Sequence, residues 1–573
     1  MKQILYTLLF FLIAGLGACT SSAPSPTTVR VRWTADPETL DPLLYLSSAN
    51  STQATDLLHF SLLGTDYSTQ ARVPLLAESL PEVRYVDSST FITYRLRKAA
   101  AWDDGRPILA RDVAFTLAVM SCPGLPNEAN QAQFNFIEKV IPDSTDQYRF
   151  TFVCQGRSPE YRFDSGDFPI LPQHILDPQG SFTALPLSTL RTSGAAKNPV
   201  VARFVERYLA ARLNQNPGNL PGCGPYRLQQ WQSGRYLSFQ RKTTWWGDNV
   251  QPAPTQLQAY PRKIVFEIIP DENTAVLALR RHQLDIYPRL PAREYLRLKQ
   301  SATAKWLSFY STGSYEMVTV GFNTRRAILH DRLTRQALSR LFDVPALIKG
   351  TRQGMAYRSV GIVAPQVTHY YNSSLPFVPY DLSKAAILLQ QAGWQRQPTG
   401  WQRTTAGATL QRLRLTITYR TGDPAYEAAA LQFRNAAATL GIPVALRPAE
   451  RSLFVSQLRS GDTDIFLRSL VGNPTTFNFA PIFHSQYTNS GNFSGFGTPA
   501  TDQLIEELAA AENQAQKIRL VKEFQRVMQE ESPEVVLYFL RYQMAADRRL
   551  TGLEPSPIKP GYNVSTVRLR TSS

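Results

Sequence analysis

The stretch AAWDDGRPILARDVAFT, residues 100–116, sets two adjacent carboxylates, Asp103 and Asp104, beside Trp102. Paired carboxylates do acid–base work only when both face a substrate across a fixed gap. Neighbours on a turn point in different directions. Asp104-Gly105 between apolar stretches is a hairpin signal, because both residues tolerate positive φ, and Asp103 is placed to bond turn amides. No stronger constellation takes the pair's place. The chain has six His, none in an HExxH, and contains no GxSxG elbow, Walker loop, CxxC or GxGxxG. GNFSGFG (491–497) lacks the Lys and following helix of a phosphate cradle and reads as a surface loop. These residues argue against an enzyme and ask for no metal and no cofactor.

The four cysteines carry more information. MKQILYTLLFFLIAGLGAC opens with Lys2, an apolar run from Ile4 to about Ile13, and small residues up to Cys19. That is the shape of a secretion signal (1–18), too short to span a bilayer comfortably. LGAC (16–19) resembles a lipobox, in which the Cys becomes the lipid-modified N-terminus. TSSAPSPTT completes a Ser/Pro-rich tether over 19–28. A terminus carrying more than one acyl chain anchors stably. The expectation is an exported body in the cell envelope, tied to a membrane by Cys19. Cys122, Cys154 and Cys223 then remain, and an odd count allows one bridge at most. Cys122 and Cys154 flank one excursion between a helix and a strand, which makes them the candidate pair, worth roughly 3–4 kcal/mol if unstrained.

With 573 residues the chain calls for more than one lobe. A hydrophobic share of 43% and an aromatic share of 11% describe a packed globular protein. The net charge of +16 is scattered in short clusters such as RRH (280–282) and NTRR (323–326), without the long basic run that nucleic-acid binding favours. Alternating strands are expected at 29–33, 89–97 and 147–153, a hairpin around Ser233-Gly234, and a helix at 110–120. In the second half, 413–419, 425–441 and 442–449 form a strand–helix–strand unit, and 450–470 adds a further helix and strand. This succession predicts an α/β lobe with mainly parallel pairing. An amphipathic helix over 331–350 is expected to break near Pro345, and Asp381 and Gly393 bound a helix between them.

The segment LAESLPEVRYVDSSTFITYRLRKAAAWDDGRPILARDVAFTL (76–117) closely resembles the signature of family 5 extracellular solute-binding proteins, the receptors of ABC importers for dipeptides, oligopeptides and some other solutes. Lys98, Trp102, Asp104, Gly105, Pro107, Ala110, Asp112 and Val113 match the family's LRKGVKFHDGTPFTAEDV pattern. PETLDPLL (37–44), LPQHIL (171–176), GCGPYRL (222–228), WWGD (245–248), VGFNT (320–324) and RQALSRLFD (335–343) fit in the same order. The resemblance implies a two-lobed periplasmic-binding-protein-like α/β fold of the large, cluster C type. Lobe I would span 29–286 with an extra subdomain at about 66–185, lobe II 287–540, and 541–573 would return to lobe I. It also implies a monomer that closes over a peptide-like solute and hands it to an ABC permease.

Three places match segments that line the family's cleft. The first is the loop Asp36, Pro37, Glu38 and Thr39, for which an ordinary Pro turn is the alternative. The second is Arg420 and Thr421, where a guanidinium fork suits a ligand carboxylate and a solvated surface Arg is the alternative. The third departs from the family. Peptide-binding relatives carry GW-x-x-D-x-x-DP with an Asp for the ligand's α-ammonium, whereas DIFLRSLVGNPTTFNF (464–479) has Leu470 near the Trp position and Asn473 in place of the Asp before Pro474. A buried ammonium without a carboxylate costs several kcal/mol. Either Glu38 or Asp423 supplies one, or the solute lacks a free ammonium. Nickel chelates, opines and oligosaccharides are handled by similar proteins. A different class, an envelope interaction protein using a surface of the same fold, is also compatible with the positive charge.

Overall fold

The computed structural model describes residues 27–43, 49–405, 407, 409–474, 477–488, 490–511 and 513–570. The secretion signal, Cys19 and most of the tether lie outside these residues, although the last tether residue, Thr28, already begins a strand.

Val29 and Val31 are fully buried on the strand Thr28–Trp33, as their alternation with arginines predicts. The strand runs parallel to Lys263–Ile268 on one side and Ile286–Tyr287 on the other. Arg32 also points inward, and its charge is accommodated rather than exposed. Its Nε and one Nη donate to the carbonyls of Ile269 and Pro270 at 2.8 Å, and the guanidinium lies 4.5 Å from the Tyr287 ring centre.

One eleven-stranded sheet runs through the molecule. Its path is Val444–Ala449, Leu415–Arg420, Ile465–Val471, Leu307–Phe322, Glu534–Asp547, Ile286–Tyr287, Thr28–Trp33, Lys263–Ile268, Tyr236–Arg241 and Tyr226–Gln232, with Ala356–Tyr357 paired to Glu534–Asp547. The strand–helix–strand unit is parallel as expected, Leu415–Arg420 pairing with both Val444–Ala449 and Ile465–Val471. Leu307–Phe322 is antiparallel to both of its neighbours, so the second half is mixed rather than mainly parallel.

Leu307–Phe322 and Glu534–Asp547 are the hinge strands. Residues 307–313 pair with 541–547 beside the first half's strands, and residues 317–321 pair with 534–539 beside the second half's. Between these stretches the register shifts, and the Ser314 Oγ donates to the Leu540 carbonyl at 2.9 Å. An irregularity of this kind bends a strand and increases its local twist, which lets two strands pass from one lobe into the other. The cores divide accordingly. One apolar cluster draws on 29–286 and 544–567 and two others on 315–540, while a further one, on 275–307 with Ala545, lies across the boundary between them.

Local signals hold where chemistry is local. Asp343 caps a helix that begins at Val344 with Pro345 in its first turn, so the expected amphipathic segment is two helices, Arg332–Ser339 and Val344–Arg352. Asp381 accepts from the Lys384 amide at 2.8 Å, and Gly393 has φ +83°. The proposed Cys122–Cys154 bridge is a correction. Both thiols are free and buried, as is Cys223. Cys154 sits within the strand Arg149–Gln155 opposite Thr90 and Ile137, and Cys122 follows the helix Ala110–Met120. Each packs separately in the core of the first lobe as a small apolar side chain, and burial pushes both thiols up to about 12.

Candidate functional site

Asp103 and Asp104 are turn and anchor. The Trp102 amide donates to the Arg106 carbonyl at 2.8 Å across a turn in which Gly105 has φ +85°. Asp103 pairs with Lys242 and accepts from the Gly222 amide at 3.2 Å, while Asp104 lies 2.6 Å from His174 Nε2. The two carboxylates face different partners, and no acid–base pair forms.

The loop at 36–39 is engaged within the protein. Asp36 accepts from Trp231 Nε1 at 2.8 Å, from the Ser233 hydroxyl at 3.2 Å and from the Gly234 amide at 2.7 Å, which fastens the loop to the hairpin turn. Pro37 and Thr39 are buried, and the Thr39 Oγ1 accepts from the Asp41 amide at 3.0 Å. Glu38 reaches across the lobe boundary and pairs with Arg451. Lys517 crosses at another point to Glu160, whose Oε1 also accepts from the Phe477 amide at 3.2 Å. The two lobes are thus in contact.

The second predicted place lies in a charged array at the hinge. Arg420 ends the strand Leu415–Arg420 with an exposed side chain, whereas Thr421 bonds back to the Ala449 carbonyl at 2.9 Å through its amide. Asp423 caps the helix Pro424–Thr439 and meets Arg352 at 3.0 Å, so it is already paired. Glu316, in the register shift, accepts from Arg289 at 2.8 Å and from the Tyr542 hydroxyl at 3.0 Å. Burial pushes the Glu316 carboxyl upward, but Arg289 and Lys559 outweigh it and hold it below the usual range. Burial drives the Lys559 ammonium down, opposed by Glu316 and reinforced by Arg289 and Arg420.

This array sets Arg289, Arg352, Arg420 and Lys559 against Glu316 and Asp423, four positive charges against two negative. The Arg289 side chain remains 42% exposed and Arg420 is exposed as well, so part of this positive charge is open to solvent. Such an arrangement suits an anionic group, above all a carboxylate. Sequence reasoning reached Arg420 and, as a candidate ammonium partner, Asp423. Arg289, Glu316, Arg352, Tyr542 and Lys559 come from separate segments with no shared motif. The sole local hint is the positive φ of Arg289, +53°, which a sequence does not display.

Asn473 lines a cavity of about 140 Å³ with Tyr315, Met317, Leu470, Phe477 and Phe479. Its surroundings are mainly apolar, unlike an ammonium site. Among the described residues no group of three or more His, Cys, Asp or Glu is placed to hold a metal ion, and no helix is long and apolar enough to cross a membrane.

Residues 71–492 match the family model for bacterial extracellular solute-binding proteins, family 5. The oligopeptide-binding protein AppA of Bacillus subtilis (strain 168) is 22% identical over 526 residues, covering 91% of this chain and 88% of that protein. The solved structure of Bacillus subtilis AppA with a nonapeptide superposes with a TM-score of 0.72 at 20% identity, covering 95% of this chain and 99% of that one. The periplasmic EDTA-binding protein EppA superposes with a TM-score of 0.76 at 18% identity, covering 95% and 97%. At these identities the structural likenesses bear on the fold alone.

Proposed function

The chain belongs to family 5 of the bacterial extracellular solute-binding proteins, proteins of the ABC-importer type, and from that premise we propose that it is a membrane-anchored receptor which captures an extended, peptide-like solute between its lobes and delivers it to a permease. In this reading Cys19 carries the lipid after removal of 1–18, and 19–28 is the tether. Lobe I comprises 29–286, lobe II 287–540, and 541–573 returns to lobe I. The protein acts as a monomer without nucleic acid.

The carrying observation is the hinge array. Its surplus positive charge lies where the lobes meet, with Arg289 and Arg420 exposed, and a solute carboxylate placed there exchanges solvent for Arg289, Arg420 and Lys559. A main-chain-paired peptide would gain affinity without side-chain reading, as strand addition does elsewhere. Lobe contacts such as Glu38–Arg451 would close over it.

Native mass spectrometry of protein purified without its lipid, under gentle and then denaturing conditions, tests this reading. A released ladder of small peptides supports it. A single non-peptide mass keeps the receptor and replaces the solute. One such solute has a specific observation in its favour: the two surplus positive charges also suit a polycarboxylate chelate, and retention of citrate- or EDTA-type anions would establish that alternative.

A further inference from the structure

The helix Ala49–Leu58 is held by unusually close backbone. The amides of Cys223 and Gly224 both donate to the Leu58 carbonyl, at 2.9 and 2.8 Å. A Cβ on Gly224 would lie 2.4 Å from the Leu57 carbonyl oxygen, and one on Gly222 equally close to that of Leu58. The glycines of GCGPYRL therefore fix where this helix sits. On its last turn Asp56 turns away from the packed side.

Asp56 borders a cavity of about 340 Å³ in the first lobe, together with Tyr67, His59, Asp167, Ile558 and Pro560. Among the described residues, the structure gives neither the Asp56 carboxylate nor the Tyr67 hydroxyl a hydrogen-bond partner. His59 is 2% exposed, borders the same space, and its Nδ1 is without a partner. Asp167 is paired with Arg72 at 2.8 Å and still acts on Asp56 as a like charge, whereas Asp56 has no cation of its own. Burial and then Asp167 raise the Asp56 carboxyl to about 7. Buried polar groups ordinarily find partners. Here His59 is the buried polar group left without one, while Asp56 opens onto the space and Tyr67 is half-buried beside it.

The cavity adjoins the hinge array. Ile558 and Pro560 line it, while Lys559 between them belongs to the array through Glu316, Arg289 and Arg420. Tyr315, on a hinge strand, bonds Gln70 and accepts no charge there, and its amide reaches the Pro557 carbonyl at 3.4 Å. A cationic end and an anionic end thus meet across one short stretch of chain.

We propose that this lobe I cavity is the subsite for a positively charged end of the solute, an alkylammonium group, with Asp56 as its counter-ion and the Tyr67 oxygen as a further acceptor. The identification of that end as a peptide's amino terminus rests on the peptide-receptor reading. The subsite takes the place of the carboxylate missing near Asn473, on the opposite lobe. An ammonium entering it would neutralise Asp56 as a carboxylate and donate to groups that otherwise lack partners.

The test uses the mature protein, wild type and Asp56→Asn, with two probes. The first is a random tri- to hexapeptide library, offered with free and with N-acetylated amino termini, its retention read by native mass spectrometry. The second is 1,4-diaminobutane, read as a thermal shift against sodium chloride of equal ionic strength. We expect the wild type to retain free-amino peptides at least tenfold over acetylated ones, and Asp56→Asn to bring the ratio to near one. If neither library is retained, the peptide reading falls, and the diamine decides the subsite: a saturable shift absent from Asp56→Asn upholds it. Equal retention of both libraries by the wild type overturns the subsite, as does a preference that survives in Asp56→Asn. Absence of a diamine shift where no peptide is retained overturns it too. Circular dichroism checks the fold of the variant, and Tyr67→Phe, expected to reduce the same preference several-fold, replaces it if folding fails.

Discussion

The hinge array and the lobe I cavity are neighbours built on opposite rules. In the array, both carboxylates have a guanidinium within 3.0 Å, Glu316 with Arg289 and Asp423 with Arg352. Pairing of this kind keeps charges ionised despite burial, as the lowered Glu316 carboxyl records. In the cavity, Asp56 faces Asp167 without a cation of its own, and its carboxyl rises instead. The array is therefore preformed and retains positive charge to offer. The cavity is electrostatically incomplete until something positive enters. Reading a cleft by counting charges would have missed this, because the count alone does not say which charges are already paired.

Four experiments break or sharpen that contrast. Removing the charge that holds the array together has the largest expected effect. Glu316→Gln leaves the partly exposed Arg289 without its counter-charge and should lower unfolding stability by roughly 2 kcal/mol in urea titration. That is below the range for a fully buried pair because Arg289 keeps some access to water. Next in size, Arg420→Ala should weaken binding of a carboxylate-bearing peptide by roughly five- to tenfold, somewhat less than a full charged hydrogen bond because Arg420 is exposed. Affinity for the C-terminally amidated peptide should not change, and calorimetry on the two peptides makes the comparison.

A smaller effect is expected from pH. The raised carboxyl of Asp56 favours its neutral form in the folded chain, so its contribution to stability is present below about pH 4 and lost as pH rises through about 7. The melting temperature of the empty protein should fall over that interval. Asp56→Asn should flatten the slope without removing it, since Asp164, which burial and then Glu160 also raise to about 7, remains. The smallest effect belongs to the exposed bridge between lobes. Glu38→Gln breaks a half-exposed pair with Arg451 and should cost less than about 1 kcal/mol, seen as a modest rise in solute dissociation rate that high salt abolishes.

The loop at 36–39 shows why site residues were harder to read than elements. A carboxylate next to a turn-marking Pro, as Asp36 is to Pro37, looks the same in sequence whether it awaits a ligand or fastens a hairpin. Asp36 does the second, through Trp231, Ser233 and Gly234, nearly two hundred positions away. The candidate disulfide failed for a related reason. Spacing along the chain suggested a loop worth closing, but Cys154 is built into a strand between two partners and Cys122 into the core beside a helix. Asp104-Gly105, by contrast, was read correctly as a turn, because every atom that decides it lies within five residues.

By itself, the sequence determined what depends on neighbours. These are the alternating first strand, the caps at Asp343 and Asp381, the turns at Gly105 and Gly234, and the ordered motifs that mark the family. Backbone preference, side-chain period and capping act over a few residues, and a few residues are legible as text. Tertiary structure alone decided which charges meet. Arg289, Glu316, Arg420, Tyr542 and Lys559 become neighbours only because two long strands cross between lobes, and Asp56 faces a cavity only because Gly222 and Gly224 let another segment press against its helix. Electrostatic energy depends on distance and burial, and folding sets both between residues that sequence keeps hundreds of positions apart.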